Sequence, residues 1–411
     1  MCIVVRSRSA LGMRLCAMVA LVFVAALGTA GETIKFPKID RHPAPADYGR
    51  GVLDSWPALH PDWGSYDLRG YDLSRLDLRD KYNELMLADF DDVTVWPSAD
   101  WMPAGFNYDR LMDLGKNPGL KVRDLHAKGI AGKNVGIAII DQPLLVDHEE
   151  YASQLRLYEE INIKATTPAQ MHGAAVASIA VGKTLGVAPE ADLYYIGAWT
   201  GDWLSGGGFD WNFTYYAQGV RRILAINKQL PTDRKIRVIC MQVGWNPGQT
   251  GYDQISAAVR DAEAAGLMVI DSSTEDTHPD WRFLGLGRYP LDDPQFFASY
   301  RPAIWWFDAY LDRPGHFGNY LTAPTDSRAT ASPTGVDEYV FYRTGGLSWT
   351  IPYIGATYAL AAQVQPKIDA ARFWSTAGST ARRVGFMYNW KKYYLNRVID
   401  PKALIKALKP K

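Results

Sequence analysis

The sequence predicts an α/β fold in which a mostly parallel sheet is covered by helices on both faces. From residue 119 onward, apolar runs of strand type alternate with helical segments. The run at 135–140 is continuous and ends at Asp141, as expected for a strand buried on both faces. Two segments rich in Gly and Ala follow His172 and Ser348 and predict helices that pass through the core. Ligands of such sheets bind beyond the carboxyl ends of the strands, where Asp141 lies.

The predicted elements follow in chain order. A helix is expected at 122–128, a strand at 135–140 and a helix from His172 to residue 180. Further strands are expected near 192–197, 236–243 and 267–271, with helices near 214–228 and 252–265. The last helix is expected to begin at Ser348, with Pro352 in its first turn, and to stop before Pro366.

The residues before 119 predict two further segments. Residues 1–30 combine three arginines, an uncharged run at 15–27 and a small-residue end at Ala30, which predicts a cleaved secretory signal peptide. Residues 31–118 are expected to form an N-terminal extension that packs on the main domain at 119–411. Within this extension, leucines recur every five residues at 68, 73 and 78, so residues 66–80 resemble a short pentapeptide repeat.

Composition excludes several function classes. The chain has 411 residues and a formal net charge of zero, and loss of the signal peptide leaves 41 basic against 44 acidic residues. This balance does not favour binding to nucleic acid or to an anionic membrane. No segment beyond the signal approaches a membrane span. Of the three cysteines only Cys240 remains in the mature chain, so no internal disulfide is expected.

Three residues with complementary chemistry occur in the order Asp141, His172, Ser348. A serine hydroxyl needs a base to take its proton as it attacks, and an imidazole suits that exchange near neutral pH. An aspartate holds the imidazole in the required tautomer and stabilises its cation. Each residue alone is more simply a capping or packed side chain. Together, in an order known for serine triads, they predict nucleophilic catalysis.

The local sequences resemble subtilisin-like serine peptidases. Residues 132–141 are similar to the aspartate segment of this family, 171–180 and 186–191 to its histidine segment and the following strand, and 320–324 with 346–352 to its serine segment. The resemblance covers residues 119–365 and implies a subtilisin-like three-layer fold. It also implies that Ser348 is the nucleophile, His172 the general base and acid, and Asp141 the orienting acid.

The sequence departs from the family where an oxyanion donor is expected. The family carries an asparagine after an apolar strand, but residues 266–276 contain none. An ungapped alignment places Glu275 at that position, and a shift of one residue places Thr274 there. An ionised glutamate accepts hydrogen bonds and repels an oxyanion, so turnover is expected to be slow unless another group donates. Gln142 and Pro143 also replace the small residue and glycine that follow the family aspartate.

The resemblance implies further properties. Substrate contacts are expected along Gln242, Val243 and Gly244, where an extended peptide would pair by β-augmentation. No catalytic cofactor and no metal ligand are implied, although structural calcium is common in the family. The expected partner is a peptide or protein substrate of an exported, monomeric enzyme.

Three functions remain open from the sequence. They are an active secreted endopeptidase, a catalytically weak peptide-binding or envelope module of the same fold, and a serine hydrolase that does not act on peptides. The third has less support, because a Gly-x-Ser-x-Gly elbow is absent around Ser348.

Overall fold

The computed structural model describes residues 34–409. The predicted signal peptide at 1–30 lies outside these residues. Within them, the strands in chain order are β1 Lys38–Ile39, β2 Gly51–Val52, β3 Tyr66–Asp67, β4 Tyr71–Asp72, β5 Ala88–Asp91, β6 Gly136–Asp141, β7 Leu155–Ile161, β8 Asp192–Ala198, β9 Gly201–Trp203, β10 Phe209–Trp211, β11 Ile236–Met241, β12 Met268–Asp271, β13 Phe283–Arg288, β14 Tyr300–Pro302, β15 Leu321–Pro324, β16 Arg328–Ala331, β17 Tyr339–Tyr342, β18 Arg382–Tyr388 and β19 Lys391–Val398.

The helices of the same described range vary from single turns to 18 residues. The α-helices are α1 Tyr82–Leu85, α2 Tyr108–Gly115, α3 Arg123–His126, α4 Met171–Val181, α5 Thr214–Gln229, α6 Tyr252–Ala264, α7 Thr274–Thr277, α8 Phe307–Asp312, α9 Leu347–Val364, α10 Ala370–Thr380 and α11 Pro401–Leu408. Short 3-10 helices lie at Ala99–Trp101, Thr232–Arg234, Phe297–Ser299 and Ile304–Trp306.

A six-stranded sheet forms the centre of the protein. Its strand order is β1-β7-β8-β6-β11-β12, and every neighbouring pair is parallel. Strand β6 is buried over its whole length, as its continuous apolar run predicts. Because the strands are parallel, their carboxyl ends meet at one edge of the sheet, where β6 ends at Asp141 and β12 at Asp271.

Helices cover both faces of this sheet. Ile137 and Ile139 of β6 pack in one apolar cluster with side chains of α4 and α9. Ala138 and Ile140, which point to the opposite face, pack in a second cluster with side chains of α5 and α6. The predicted α/β fold with three layers and a parallel central sheet is therefore confirmed.

A second sheet contacts the other side of α9. Its five strands have the order β14-β13-β15-β19-β18 and mixed directions. Helix α9 thus lies between two sheets and is buried at every position from Trp349 to Ala362. The Gly- and Ala-rich sequence permits this, since small side chains let both sheets approach the helix axis. This second sheet was not predicted from the sequence.

The N-terminal residues form a third sheet with the segment that leads to Ser348. Strands β16, β17, β5 and β3 pair in that order, so β5 lies beside β17. Leu68, Leu73 and Leu78 are fully buried in one cluster that also contains Tyr339 and Phe341 of β17. Burial of each leucine contributes about 1.5–3 kcal/mol. Residues on both sides of the predicted boundary at 118 therefore share one core.

Candidate active site

Asp141 is the last residue of β6 and is 3% exposed. Its Oδ1 accepts a hydrogen bond from the backbone N–H of Gln142 at 2.7 Å and lies 2.8 Å from His172 Nδ1. A carboxylate that is buried with two such donors is held in one orientation. Asp141 therefore fixes the ring of His172 through its Nδ1–H.

His172 is the second residue of α4, and its side chain is about one quarter exposed. Burial lowers the pKa of the imidazole, but the negative charge of Asp141 and the hydrogen bond to it outweigh that effect, so the pKa is raised above its usual value of 6.5. The ring thus has one nitrogen bound to the carboxylate and the other free to exchange a proton, which is the arrangement needed for a general base.

The turn after Asp141 is held by two residues that the sequence analysis did not identify. The hydroxyl of Tyr195, on the neighbouring strand β8, donates a hydrogen bond to the carbonyl of Gln142 at 2.6 Å. Gly173 packs against the same group, because a Cβ there would lie 2.6 Å from both the Gln142 carbonyl and the Tyr195 hydroxyl. These contacts hold the turn at Gln142 and Pro143 directly beside the carboxylate of Asp141. The available signal was the pair of tyrosines, Tyr194 and Tyr195, within the strand at 192–198.

Ser348 is the second residue of α9 and is partly exposed. Its Oγ donates a long hydrogen bond of 3.4 Å to the backbone carbonyl of Gln242. Among the described residues, no hydrogen bond joins this hydroxyl to His172. The backbone N–H of Ser348 lies in the first turn of the helix and has no partner within the described chain, so it remains available to an anion.

Pro352 lies deeper in this helix than the sequence prediction placed it. It is the sixth residue of α9 and therefore belongs to the second turn, not the first. A residue at this position would normally donate its N–H to the carbonyl of Ser348, and proline has no N–H. The helix nevertheless continues to Val364, because its buried faces are held by both sheets.

The side chains at the two predicted oxyanion positions, Thr274 and Glu275, are hydrogen-bonded to other groups of the protein. The Thr274 hydroxyl is buried; it donates to the Asp271 carbonyl and accepts from the Asp271 N–H, both at 2.8 Å. Glu275 is exposed; its Oε2 accepts from the Tyr320 hydroxyl at 3.2 Å and lies 3.5 Å from Arg282 Nε. Neither side chain presents a free donor, so the backbone N–H of Ser348 is the donor closest in the chain to the Ser348 hydroxyl.

The predicted substrate segment follows β11 but is not itself a strand. The Val243 carbonyl already accepts the N–H of Ser272 at 3.2 Å. Gly244 lies so close to Ser273 that a Cβ would be 2.3 Å from its hydroxyl oxygen. Gln242 is 7% exposed, and both polar atoms of its side chain are buried without a hydrogen-bond partner among residues 34–409.

A cavity of about 600 Å³ adjoins this segment. Its lining includes Trp245, Ser273 and three acidic residues, Glu263, Asp271 and Asp276, as well as Arg260 and His278. His278 Nε2 lies 2.7 Å from Glu263 Oε1. Burial raises the pKa of Asp271 to about 7, and the nearby Glu263 and Asp276 add to the effect. The cavity therefore combines an aromatic wall with titratable carboxylates.

Metal-binding and membrane-spanning features are not found in the described part of the chain. Within residues 34–409, no group of three or more His, Cys, Asp or Glu side chains is arranged to hold a metal ion. In the same residues, no helix is both long and apolar enough to cross a bilayer.

The match to a protein-family model agrees with the sequence resemblance. The model of the subtilase family matches residues 132–310, which include Asp141, His172 and Gln242 but end before Ser348. Among curated proteins no match is found. A solved structure described as "Structure of Prenylagaramide maturation protease PagA" is similar at 14% identity, with a TM-score of 0.47, over 71% of this chain and all of that one.

The family match supports a serine peptidase, since its range contains the acid and the base of the predicted triad. The resemblance to subtilisin-like serine peptidases is thus confirmed, and residues 132–310 of this chain match the subtilase family.

Proposed function

We propose that this protein is an exported serine endopeptidase that cleaves peptide bonds with Asp141, His172 and Ser348. The observation that carries the proposal is the 2.8 Å hydrogen bond between Asp141 and His172 at the sheet edge where the helix of Ser348 begins. A buried carboxylate bound to the imidazole Nδ1 leaves Nε2 free to act as a base.

The proposed reaction begins with a change of partner for Ser348. Its hydroxyl leaves the Gln242 carbonyl and donates to His172 Nε2. His172 takes the proton as Ser348 Oγ attacks the substrate carbonyl, and Asp141 stabilises the imidazolium that forms. The same proton is then given to the leaving amine as the peptide bond breaks. A water molecule, activated by His172, hydrolyses the acyl-enzyme and restores the free serine.

Stabilisation of the oxyanion is expected to be incomplete. The N–H of Ser348 and the positive end of α9 supply part of it. The side-chain donor of the family is missing: the hydroxyl of Thr274 is already paired, and Glu275 is bound to Tyr320. Loss of one such donor lowers turnover by about 10²–10³ in a subtilisin. We therefore expect this enzyme to turn over more slowly than family members that have the side-chain donor.

The substrate is proposed to lie along Gln242, Val243 and Gly244. One side chain of the substrate would enter the adjoining cavity that Trp245 and Ser273 line. Catalysis requires no cofactor in this scheme. A monomeric state and export through the signal peptide at 1–30 belong to the same proposal, and structural calcium is implied only by the family resemblance. Each is testable separately from catalysis.

Proteolysis of an unfolded protein tests the proposed function. The full chain and Ser348→Ala are incubated with reduced, alkylated casein, and new fragment termini are identified by mass spectrometry. Internal cleavage by the wild type alone is expected. Equal cleavage by the variant would assign the activity to a contaminant and remove the proposal.

A peptide-binding module without turnover is the second candidate. It is favoured by the absence of a hydrogen bond between Ser348 and His172 within the described residues, together with the occupied oxyanion positions. It predicts that wild type and Ser348→Ala bind an unfolded protein equally and cleave nothing. Measuring binding and fragment release in the same samples distinguishes the two candidates.

A further inference from the structure

The hairpin formed by β18 and β19 has an unusual charge. Residues 382–398 contain five basic residues and no acidic residue, within a chain whose formal net charge is zero. Only Arg382 of these lies within 4 Å of a carboxylate in the described chain, at Asp400. The hairpin is therefore a local cationic region that the overall charge balance conceals.

The two faces of the hairpin differ. One face is buried against the domain through Val384, Phe386 and Leu395. On the other face, Met387 pairs with Lys392, and Met387 is 60% exposed. The guanidinium of Arg383 lies 3.7 Å from the ring centre of Tyr394, so this face combines cations with aromatic and apolar surface.

The tip of the hairpin presents a tryptophan to solvent. Trp390 is 99% exposed, and Asn389 and Trp390 have φ angles of 46° and 62°. Two-residue turns with both φ angles positive strongly favour glycine at the second position, since a bulky side chain is disfavoured in this conformation. The chain thus keeps a large aromatic ring at a position where glycine would fold more easily and where the ring makes little contact with the protein.

The exposed tip is continuous with the cationic side chains. Lys391 and Lys392 follow Trp390 directly, and both are exposed. Their ammonium groups lie 5.0 and 5.4 Å from the ring centres of Tyr393 and Tyr394, and no carboxylate among the described residues is within 4 Å of either. The tip is apolar, and the cations next to it form no ion pair with the described residues. Such a tip is complementary to a surface that has an anionic outer layer over an apolar interior.

We propose that this hairpin tip attaches the protein peripherally to an anionic lipid bilayer. Tryptophan side chains favour the level of the lipid headgroups, where Trp390 and Met387 would enter. Lys391, Lys392 and Arg383 would contact anionic headgroups, each strengthening attachment about fivefold. The proposal is independent of catalysis, because none of these residues belongs to the proposed active site.

Co-sedimentation with lipid vesicles tests the proposal. The full chain is mixed with vesicles of phosphatidylcholine alone or of phosphatidylcholine with phosphatidylglycerol, at low and high salt. The wild type is expected to bind the phosphatidylglycerol vesicles and to be released by salt. All variants retain residues 1–30, so any binding by that segment is common to every sample.

Two variants and one control locate the binding. Lys391→Gln with Lys392→Gln is expected to weaken binding about twenty-fivefold, whereas neutralising the exposed pair Lys128 and Lys133 leaves it unchanged. Trp390→Gly is expected to weaken binding at least about fivefold while leaving the melting temperature unchanged or higher, because glycine suits the turn. Loss of binding without loss of stability is a result that a structural role for Trp390 does not produce.

Two results would overturn the proposal. One is equal vesicle binding by the wild type and both hairpin variants. The other is hairpin-dependent binding to a single-stranded oligonucleotide or to an acidic polypeptide, with no binding to phosphatidylglycerol vesicles, which would assign the tip to a different partner.

Discussion

Strands β6 and β12 end in the same way but serve different chemistry. Both are buried parallel strands that finish in an aspartate, and Asp141 and Asp271 are 3% and 4% exposed. Asp141 lies 2.8 Å from the ring nitrogen of His172. Asp271 instead accepts the N–H of Ser273 from its own loop at 2.7 Å, and burial raises its pKa to about 7.

The difference between these strand ends comes from what faces them. Helix α4 begins beside the end of β6 and supplies an imidazole. The end of β12 is followed by the short helix α7, whose Thr274 hydroxyl donates a hydrogen bond to the backbone carbonyl of Asp271. The same local signal, an apolar run followed by Asp, therefore produces a candidate catalytic acid at one strand and, at the other, a carboxylate that is hydrogen-bonded within its own loop.

The largest expected effect is the loss of Ser348, the proposed nucleophile. Ser348→Ala should lower kcat for a peptide by about 10⁴–10⁶, because only binding and oxyanion stabilisation would remain. The matched control is Ser153→Ala, an exposed serine outside the site, which should leave kcat within twofold. Similar rates for both variants would show that the β6 edge is not the reacting one.

Exchange of each strand-end aspartate tests the comparison directly. Asp141→Asn should lower kcat by about 10⁴, since the amide favours the wrong tautomer of His172. Asp271→Asn should change kcat less than about tenfold, since it does not touch the imidazole. Steady-state kinetics on one peptide measure kcat for both variants. Losses of equal size would contradict the different roles assigned to Asp141 and Asp271.

The pH dependence sharpens the same comparison. His172 must be neutral to accept a proton, and its pKa is raised by Asp141. The rate constant kcat/KM should therefore rise with pH, with a midpoint above about 6.5. Asp141→Asn should move the midpoint lower. Asp271, whose pKa is also near this range, should not determine it, so a midpoint that disappears in Asp271→Asn would contradict the assignment.

The smallest expected effect concerns the loop after β12. Glu275→Asn should change kcat/KM by less than about tenfold, because the Glu275 side chain is directed to Tyr320 and Arg282. Glu275→Gln serves as the control that removes the charge without shortening the side chain. A fall of 10² or more in either variant would instead make Glu275 part of the reacting site.

The central sheet was predictable because its signals are local. The run at 135–140 contains six consecutive apolar or small residues, and the predicted helices near 214–228 and 252–265 match α5 and α6 within about one residue. Asp141 and His172 were predictable as neighbours for the same reason, since a strand end and a helix start of adjacent units meet at one edge.

Other features depend on contacts that the sequence does not encode locally. Strands β13, β15 and β19 acquire partners from distant segments, so their short runs gave no clear pattern. The same holds for Tyr195, whose role depends on the neighbouring turn at Gln142. The hydrogen-bond partners of Thr274 and Glu275 could not be predicted either, because an alignment assigns a residue to a position but does not give its hydrogen bonds.

Labelling with a fluorophosphonate is the most direct test of the central claim, that the β6 edge activates a serine. The full chain is treated across pH 5 to 9 beside Ser348→Ala and Asp141→Asn, and the modified peptide is identified by mass spectrometry. Modification of Ser348 alone is expected, faster above the pKa of His172 and greatly slowed in Asp141→Asn. An unlabelled wild-type chain at every pH, or a label on another serine, would contradict the account.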